Sequence, residues 1–212
     1  MAIIAVRPTS GAAPGGESNI VKIKDFFDSE LAEHADVLRQ SHETLEPVFG
    51  AILEAWARCI RGGGKILFFG NGGSAADAQN LATELAVRYK KDRAPIGALA
   101  LTTDTSVLTA AGNDMGFEKV FARQIEAIGR AGDVAVGIST SGRSPNVIEG
   151  LKTARRLNLV PMAFGGGDGG MLRDVSDIAL IIPSKTTARI QEMHITLGQM
   201  LCGALEIELG LV

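Results

Sequence analysis

Apolar residues recur every three or four positions in two stretches near the start of the chain, with polar and charged residues between them. In the first stretch they are Leu31, Ala35 and Leu38, and in the second they are Val48, Ile52, Trp56 and Cys59. This spacing places the apolar side chains on one helix face and predicts two amphipathic helices, over residues 23–40 and 43–61. Such faces suit helix packing either between subunits or within the chain, and the pattern leaves both alternatives open.

Beyond residue 64 the pattern changes to short apolar runs that alternate with longer amphipathic segments. The apolar runs cover residues 65–69, 97–101, 133–138, 159–164 and 177–182. The other segments predict helices over residues 75–90, 104–112, 116–128, 145–157 and 187–209. Strands without polar alternation are typical of parallel sheets covered on both faces. The sequence therefore predicts an α/β fold, a three-layer sandwich with a five-stranded parallel sheet in flavodoxin-like order, preceded by N-terminal helices.

The length of 212 residues fits one domain, which we place at residues 20–212. Residues 1–19 contain prolines and glycines without a periodic pattern, which is typical of a flexible tail. The net charge of −3 disfavours a dedicated nucleic-acid binder. No stretch approaches the roughly 18 consecutive apolar residues of a membrane span. Cys59 and Cys202 form no C-x-x-C pair, which indicates a reducing, cytoplasmic location without disulfides.

Two of the predicted strands run directly into a loop rich in glycine and serine that opens a helix. The first loop reads GNGGS at residues 70–74, and the second reads STSGRS at residues 139–144. Free N–H groups at a helix start bind anions, and hydroxyl groups beside them add donors without charge. The first loop has neither dinucleotide-binding spacing nor the Gly-Lys-Ser/Thr ending of a P-loop. The two loops therefore predict a site for a phosphorylated small molecule with several hydroxyls, at the carboxyl edge of the sheet.

Tight turns with helix caps are the alternative explanation for these loops. Ser74 with Asp77 three residues later resembles a capping box, and Ser144 before Pro145 suits an N-cap. Capping does not explain the Asn-Gly-Gly of the first loop or the hydroxyl cluster of the second. We therefore favour a ligand site, in which Arg143 is the basic residue expected to touch the anion. The charged run RYKKDR at residues 88–93 is interpreted as a solvated helix end.

Six motifs in this order give the chain a family resemblance. They are GNGGS at 70–74, LTTD at 101–104, GND at 112–114, GISTSG at 137–142, DGG at 168–170 and RIQEMH at 189–194. Together they resemble the phosphoheptose (sedoheptulose 7-phosphate) isomerase family, which belongs to the sugar-isomerase, or SIS, domain group. The resemblance implies a cytoplasmic homotetramer with sites shared between subunits. It also implies conversion of sedoheptulose 7-phosphate to D-glycero-D-manno-heptose 7-phosphate, towards bacterial lipopolysaccharide and related surface polysaccharide.

The same resemblance assigns roles to individual residues. Those expected to hold the phosphate are Ser139, Thr140, Ser141 and Ser144. Those expected to meet the rest of the substrate are Asn71, Gly72, Gly73, Ser74, Asn113, Asp114 and Gln191. Glu84 matches the catalytic base, Gln199 occupies a second catalytic position, and Glu84 and Gln191 match zinc-site positions.

The chain departs from the family at two of these positions. The family has histidines four residues before Glu84 and eight residues after Gln191, whereas this chain has Asn80 and Gln199. Helical spacing still allows the four groups to converge, but one carboxylate and three amides are a poor donor set for zinc. We therefore expect weak zinc binding at most and predict no other cofactor.

The loss of two histidines also leaves the second acid or base of the reaction open. Glu84 supplies a base, and amide N–H groups of Asn80 or Gln199 could replace the missing electrophilic help. His194 lies one turn after Gln191 and could carry a proton, although a packing role is favoured. The leading hypothesis is an aldose–ketose isomerase whose partner is a phosphorylated sugar, without nucleic acid or membrane. The alternative is a non-catalytic SIS-domain protein that binds phosphosugars or associates with the replication initiator.

Overall fold

The computed structural model describes residues 22–212, so the predicted tail at residues 1–19 lies outside the described residues. Two helices come first, α1 (Ile23–Thr44) and α2 (Glu46–Arg61). The alternating elements that follow are β1 (Ile66–Gly70), α3 (Gly73–Ala86), β2 (Ala98–Ala100), α4 (Thr105–Met115), α5 (Val120–Ile128), β3 (Val134–Ile138), α6 (Pro145–Arg156), β4 (Val160–Gly166), α7 (Leu172–Val175), β5 (Ile178–Ile182) and α8 (Thr187–Glu208). A single 3₁₀ turn, Phe117–Lys119, leads into α5.

The five strands form one parallel sheet in the order β2-β1-β3-β4-β5. This is the flavodoxin-like order, so the predicted α/β fold is confirmed. Strands β1 and β3 are neighbours in register from Ile66 opposite Val134 to Gly70 opposite Ile138. The loops that follow these two strands therefore lie side by side at the carboxyl edge of the sheet.

Apolar side chains fill the space on both faces of the sheet, which makes three layers. Successive strand residues point to opposite faces, as Phe68 and Phe69 do. Phe68 packs edge-on against Trp56 of α2 at a ring-centre distance of 5.5 Å. Phe69 packs against Phe121 of α5 at 5.3 Å on the other face. The three-layer sandwich is thereby confirmed.

Several predicted boundaries differ from the structure. Helix α3 starts at Gly73 rather than residue 75, because Gly72 adopts a φ of 56° that turns the chain directly into the helix. It ends at Ala86 rather than residue 90, where the guanidinium of Arg93 hydrogen-bonds the carbonyl groups of Glu84 and Val87. Strand β4 continues through Gly166, two residues beyond its predicted end at residue 164, and the four-residue α7 was not predicted.

The two N-terminal helices differ in how their apolar faces are covered. In α2, Ile52, Trp56 and Cys59 are buried within the chain. In α1, Leu31 is 53% exposed and Leu38 44% exposed. The described chain therefore covers the predicted face of α2 but leaves that of α1 open to another partner. No helix in residues 22–212 combines the length and apolarity that crossing a membrane requires.

Candidate active site

The first loop joins β1 to α3 and brings its backbone to the carboxyl edge of the sheet. Gly72 is the residue before the first turn of α3, where its positive φ would strain any other side chain. Ser74 is buried in the first turn and its side chain makes no cap hydrogen bond. The predicted capping box of Ser74 with Asp77 is therefore wrong, because the helix starts before Ser74.

The second loop joins β3 to α6 and places its hydroxyl groups beside the first. Ser139 is buried, and its Oγ lies 3.0 Å from Oγ of Ser144. Ser144 is the N-cap residue of α6 with Pro145 at the first helical position, but its side chain makes no cap hydrogen bond. The backbone N–H groups at this helix start are thus not occupied by the Ser144 hydroxyl.

A pair of asparagines ties the two loops together. Asn71 Nδ2 donates to Asn146 Oδ1 and Asn146 Nδ2 donates to Asn71 Oδ1, both at 2.8 Å. Asn146 is buried, and its role was missed by sequence reasoning. The signal available in the sequence was a polar residue directly after Pro145, in the first turn of the predicted helix. The pairing fixes the separation of the two loops.

A cavity of about 430 Å³ opens between the second loop and the start of α8. Thr140 and Ser141 line one side, and Thr187 and Ile190 line the other. Gly166 at the end of β4 forms part of its wall, and a Cβ there would come within 2.4 Å of Ile190. The cavity therefore presents hydroxyl groups and the start of α8, which is the chemistry of a phosphate site.

Arg143 and Lys185 bring positive charge to the same cavity. The Arg143 guanidinium contacts Asp168 at 2.6 Å, and this contact raises the pKa of Arg143 and lowers that of Asp168. Both side chains are exposed, so solvent screens the pair and an incoming anion could exchange with the carboxylate. The structure thus places Arg143 at the cavity that was expected to hold the anion.

Helices α3 and α8 bring together the residues that resemblance marks as catalytic. Gln199 Nε2 lies 3.3 Å from Asn80 Oδ1 and 3.5 Å from Glu84 Oε1. Asn80 is exposed, whereas Glu84 and Gln199 are half-buried. An amide N–H directed at the carboxylate orients it, and a general base must be held in position to act.

Gln191 connects this cluster to the first loop. A Cβ built on Gly73 would lie 2.3 Å from both Nε2 and Oε1 of Gln191. The Gln191 amide therefore lies directly on the first turn of α3, and only glycine at position 73 leaves room for it. The structure brings Gly73, Gln191, Glu84 and Gln199 to the same pair of helices.

Asn113 and Asp114 are placed differently from the other predicted substrate residues. Both are exposed near the end of α4, and Asn113 Nδ2 donates to Asp114 Oδ1 at 2.7 Å. Among residues 22–212, neither side chain hydrogen-bonds to the two loops or to α8. Within one chain the structure therefore does not join them to the rest of the predicted site.

His194 is fully buried below the site, and its Nε2 lies 2.9 Å from the carbonyl oxygen of Gly165. Burial lowers the pKa of His194 to about 4, so the ring is neutral at pH 7 and Nε2–H donates to that carbonyl. The ring packs 5.9 Å from Phe164. This environment supports the packing interpretation over the proton-carrying one.

Asp77, on the buried side of α3, is a second perturbed group. Burial raises the pKa of its carboxyl to about 6, and Oδ2 has no hydrogen-bond partner among the described residues. Because this buried carboxyl lacks a partner, its ionisation destabilises the folded protein, and the stability of the protein therefore depends on pH.

The donor set at the site does not suit zinc. Residues 22–212 contain no cluster of three or more histidine, cysteine, aspartate or glutamate side chains arranged to hold a metal ion. At the positions in question, Glu84 is accompanied by amides, and the Gln199 nitrogen, not its oxygen, faces the carboxylate. An N–H group cannot ligate a cation, so this arrangement supplies one charged ligand where zinc prefers several nitrogen or sulfur ligands.

Comparison with known proteins gives a consistent result. Residues 31–166 match the model of the SIS domain family. The phosphoheptose isomerase of Paramagnetospirillum magneticum is 53% identical over 186 residues, which cover 88% of this chain and 97% of the relative. That of Aquifex aeolicus is 56% identical, with 87% of this chain and 95% of the relative covered. The solved phosphoheptose isomerase of Neisseria gonorrhoeae superposes with a TM-score of 0.83 at 42% identity, covering 88% of this chain and 100% of that one.

Proposed function

The chain belongs to the phosphoheptose isomerase family of SIS-domain proteins, and we propose that it interconverts sedoheptulose 7-phosphate and D-glycero-D-manno-heptose 7-phosphate or a close analogue. It is an aldose–ketose isomerase. The observation that supports this reaction most directly is Glu84, half-buried on α3 with an amide N–H of Gln199 at 3.5 Å. That carboxylate is the group able to move a proton between two carbon atoms.

The phosphate end of the substrate sets its orientation. In our proposal the hydroxyl groups of Ser139, Thr140, Ser141 and Ser144 and the start of α6 hold the phosphoryl oxygens. Arg143 leaves Asp168 to contact the anion. The residues that contact the sugar carbon chain in this proposal belong to the first loop, which Asn146 joins to the second loop, and to Gln191, which lies against that first loop: Asn71, Gly72, Gly73, Ser74 and Gln191.

The carbon chemistry uses one base. Glu84 removes a proton from C1 of the open-chain ketose, and the electrons form an enediolate across C1 and C2. Glu84, whose carboxyl proton exchanges with solvent, then protonates C2 to give the aldose, while the hydroxyl proton moves from O1 to O2 through substrate or solvent. A positioned base contributes a factor of about 10² to 10⁴ in rate. The Asn80 amide supplies an N–H donor for the developing negative oxygen, and Gln199 supplies another by exchanging its long contact with Asn80 for the substrate.

Zinc has no part in this scheme, because the donor set described above does not fit it. The amides at positions 80 and 199 serve as hydrogen-bond donors in place of a Lewis acid. An amide is neither an acid nor a base near neutral pH, so Glu84 is the group of this cluster that can act as the base.

The assembly that we propose is a cytoplasmic homotetramer in which α1 packs against another copy. Four large apolar side chains near the start of α1 are exposed in the described chain: Ile23, Phe26, Phe27 and Leu31. Exposed apolar stripes of this kind mark association surfaces. A neighbouring copy could then bring Asn113 and Asp114 to the site that one chain leaves incomplete.

The experiment that tests the proposed function is direct observation of turnover. Sedoheptulose 7-phosphate is incubated with the wild type, with Glu84→Gln and with Glu54→Gln, and the aldose product is followed by NMR. We expect turnover by the wild type and by Glu54→Gln, whose carboxylate is exposed on α2, and a loss of at least about 100-fold in Glu84→Gln. Bound ligand without turnover by the wild type would favour the non-catalytic alternative.

A further inference from the structure

The charged run at residues 88–93 is not a solvated helix end throughout, because Arg93 is buried. Its side chain is 0% exposed and that of its partner Glu206, on α8, is 2% exposed. Arg93 Nε donates to Glu206 Oε1 at 2.9 Å, and the same oxygen accepts from the backbone N–H of Tyr89 at 3.0 Å. Burial of an ion pair costs free energy of desolvation, so we look for a role of this pair other than keeping the surface soluble.

The remaining nitrogens of Arg93 are all engaged with the end of the helix that carries Glu84. Nη2 donates to the carbonyl oxygen of Glu84 itself at 2.7 Å. Nη1 lies 3.3 Å from the carbonyl oxygen of Val87 and 3.1 Å from that of Ala94. Carbonyls at a helix end lack partners within the helix, and a cation there also meets the negative end of the helix dipole. Arg93 therefore binds the backbone of Glu84 with one edge and α8 with another.

Two glycines of α8 bring that helix close to α3 and the segment after it. A Cβ on Gly198 would lie 2.7 Å from Leu81, and a Cβ on Gly203 would lie 2.8 Å from the Tyr89 ring. The glycines set how near the helices come, but they offer no directional contact. Hydrogen bonds are directional, so Arg93, which binds Glu206 on α8 and the Glu84 carbonyl on α3, prevents these two helices from sliding along each other.

Glu206 lies seven residues after Gln199, on the same face of α8 and about 10 Å along its axis. Sliding of α8 by one residue would move the Gln199 amide about 1.5 Å relative to Glu84 and would break the Arg93 contact. We propose that Arg93 and Glu206 are positioning residues, which hold the Glu84 carboxylate at its place opposite Gln199. This inference rests on the proposed function, because it gives Glu84 the role of base.

The test compares two paired substitutions that each remove one link to α8. Arg93→Met with Glu206→Leu removes the buried pair but fills its volume with apolar groups, which buried pairs often tolerate. Arg61→Ala with Glu208→Ala removes an exposed pair between α2 and α8 that does not touch Glu84. Turnover numbers, KM and melting curves are measured for both, and crystal structures are solved for the wild type and the first variant.

We expect the first variant to fold and to keep KM within about twofold while kcat falls at least about tenfold, since displacement of about 1 Å at a reacting group can cost up to 100-fold. Removal of the exposed pair in Arg61→Ala/Glu208→Ala should change kcat and KM by no more than about twofold. Wild-type kcat in a folded Arg93→Met/Glu206→Leu protein would overturn the inference. If that protein does not fold, Arg93→Lys decides, with reduced kcat at unchanged KM in support and unchanged kcat against.

Failure of the proposed function has a different signature. It would show as an inactive wild type, whatever the variants do. The distance from Glu84 Oε1 to Gln199 Nε2 in the two crystal structures then still decides the positioning role: an increase in the variant supports it, and an unchanged distance overturns it.

Discussion

At the scale of single residues, the candidate site combines one carboxylate, Glu84, with the amides of Asn80 and Gln199. Glu84 faces the nitrogen of Gln199, and Asn80 accepts from the same nitrogen. These contacts hold the Glu84 carboxylate in a fixed direction.

The amides predict how the site will respond to restored metal ligands. Asn80→His with Gln199→His would place two imidazoles beside Glu84, which gives zinc the nitrogen ligands that the present set lacks. We expect about one zinc ion per chain in this double variant and much less than one in the wild type, measured by metal analysis of protein purified without chelator. Stoichiometric zinc in the wild type would contradict our description of the donor set.

Asp77 predicts a pH dependence of stability. Its folded pKa, about 6, lies above the ordinary value of 3.8, so its contribution is fully present below pH 3.8 and is lost as pH rises through 6. At about 1.4 kcal/mol for each unit of pH, the ionised carboxylate costs the folded state about 3 kcal/mol at neutral pH. The free energy of unfolding of Asp77→Asn, relative to the wild type, should therefore rise by about that amount between pH 4 and pH 7.5.

Urea unfolding at several pH values would measure this difference. His194 acts in the opposite direction, because its lowered pKa makes the wild type less stable as pH falls below about 6.5. Comparison of wild type with Asp77→Asn removes that shared contribution. A difference that does not change with pH would show that the Asp77 carboxyl is not isolated as described.

At the scale of elements, the contact of the Gln191 amide with the first turn of α3 depends on the absence of a side chain at Gly73. Gly73→Ala places a Cβ against the Gln191 amide, which must move since it is the flexible end of its side chain. We expect KM for the sugar phosphate to rise several-fold with little change in melting temperature. Gly50→Ala is the matched control on α2, where a Cβ would have no atom within 4 Å, and it should leave KM unchanged.

The elements also show how far the sequence can be interpreted. Continuous apolar runs predicted all five strands and their parallel arrangement, because burial on both faces leaves a plain signal. The buried Arg93 could not be found in this way. Its sequence neighbours are charged and exposed, and its partner Glu206 is more than 100 positions away, so only the packing of α8 against α3 reveals the pair.

The candidate site was predictable to a similar degree. The two loops were predicted from glycine- and serine-rich helix starts that directly follow strands, a pattern visible in one chain. The positions of the cluster on α3 and α8 were assigned by family resemblance, and helical spacing showed only that they could converge. Asn146 and the separation of Asn113 and Asp114 from the loops depend on how distant segments meet. Local patterns do not carry that information.

At the scale of the whole molecule, the exposed start of α1 predicts association. Ile23, Phe27 and Leu31 recur every four residues on one face, and Phe27 is 60% exposed. We expect the wild type to sediment as a tetramer and Phe27→Glu to sediment as smaller species, because a buried carboxylate would oppose the contact. Ser29→Glu adds the same charge to the opposite face and should remain tetrameric in analytical ultracentrifugation.

The central claim is that Glu84 moves a carbon-bound proton, and exchange with solvent deuterium tests it most directly. Sedoheptulose 7-phosphate is converted in D₂O, and deuterium at C2 of the heptose product is measured by NMR and mass spectrometry. We predict incorporation by the wild type and incorporation at least about 100-fold slower by Glu84→Gln. Solvent exchange or product formation by Glu84→Gln at the wild-type rate would contradict the claim.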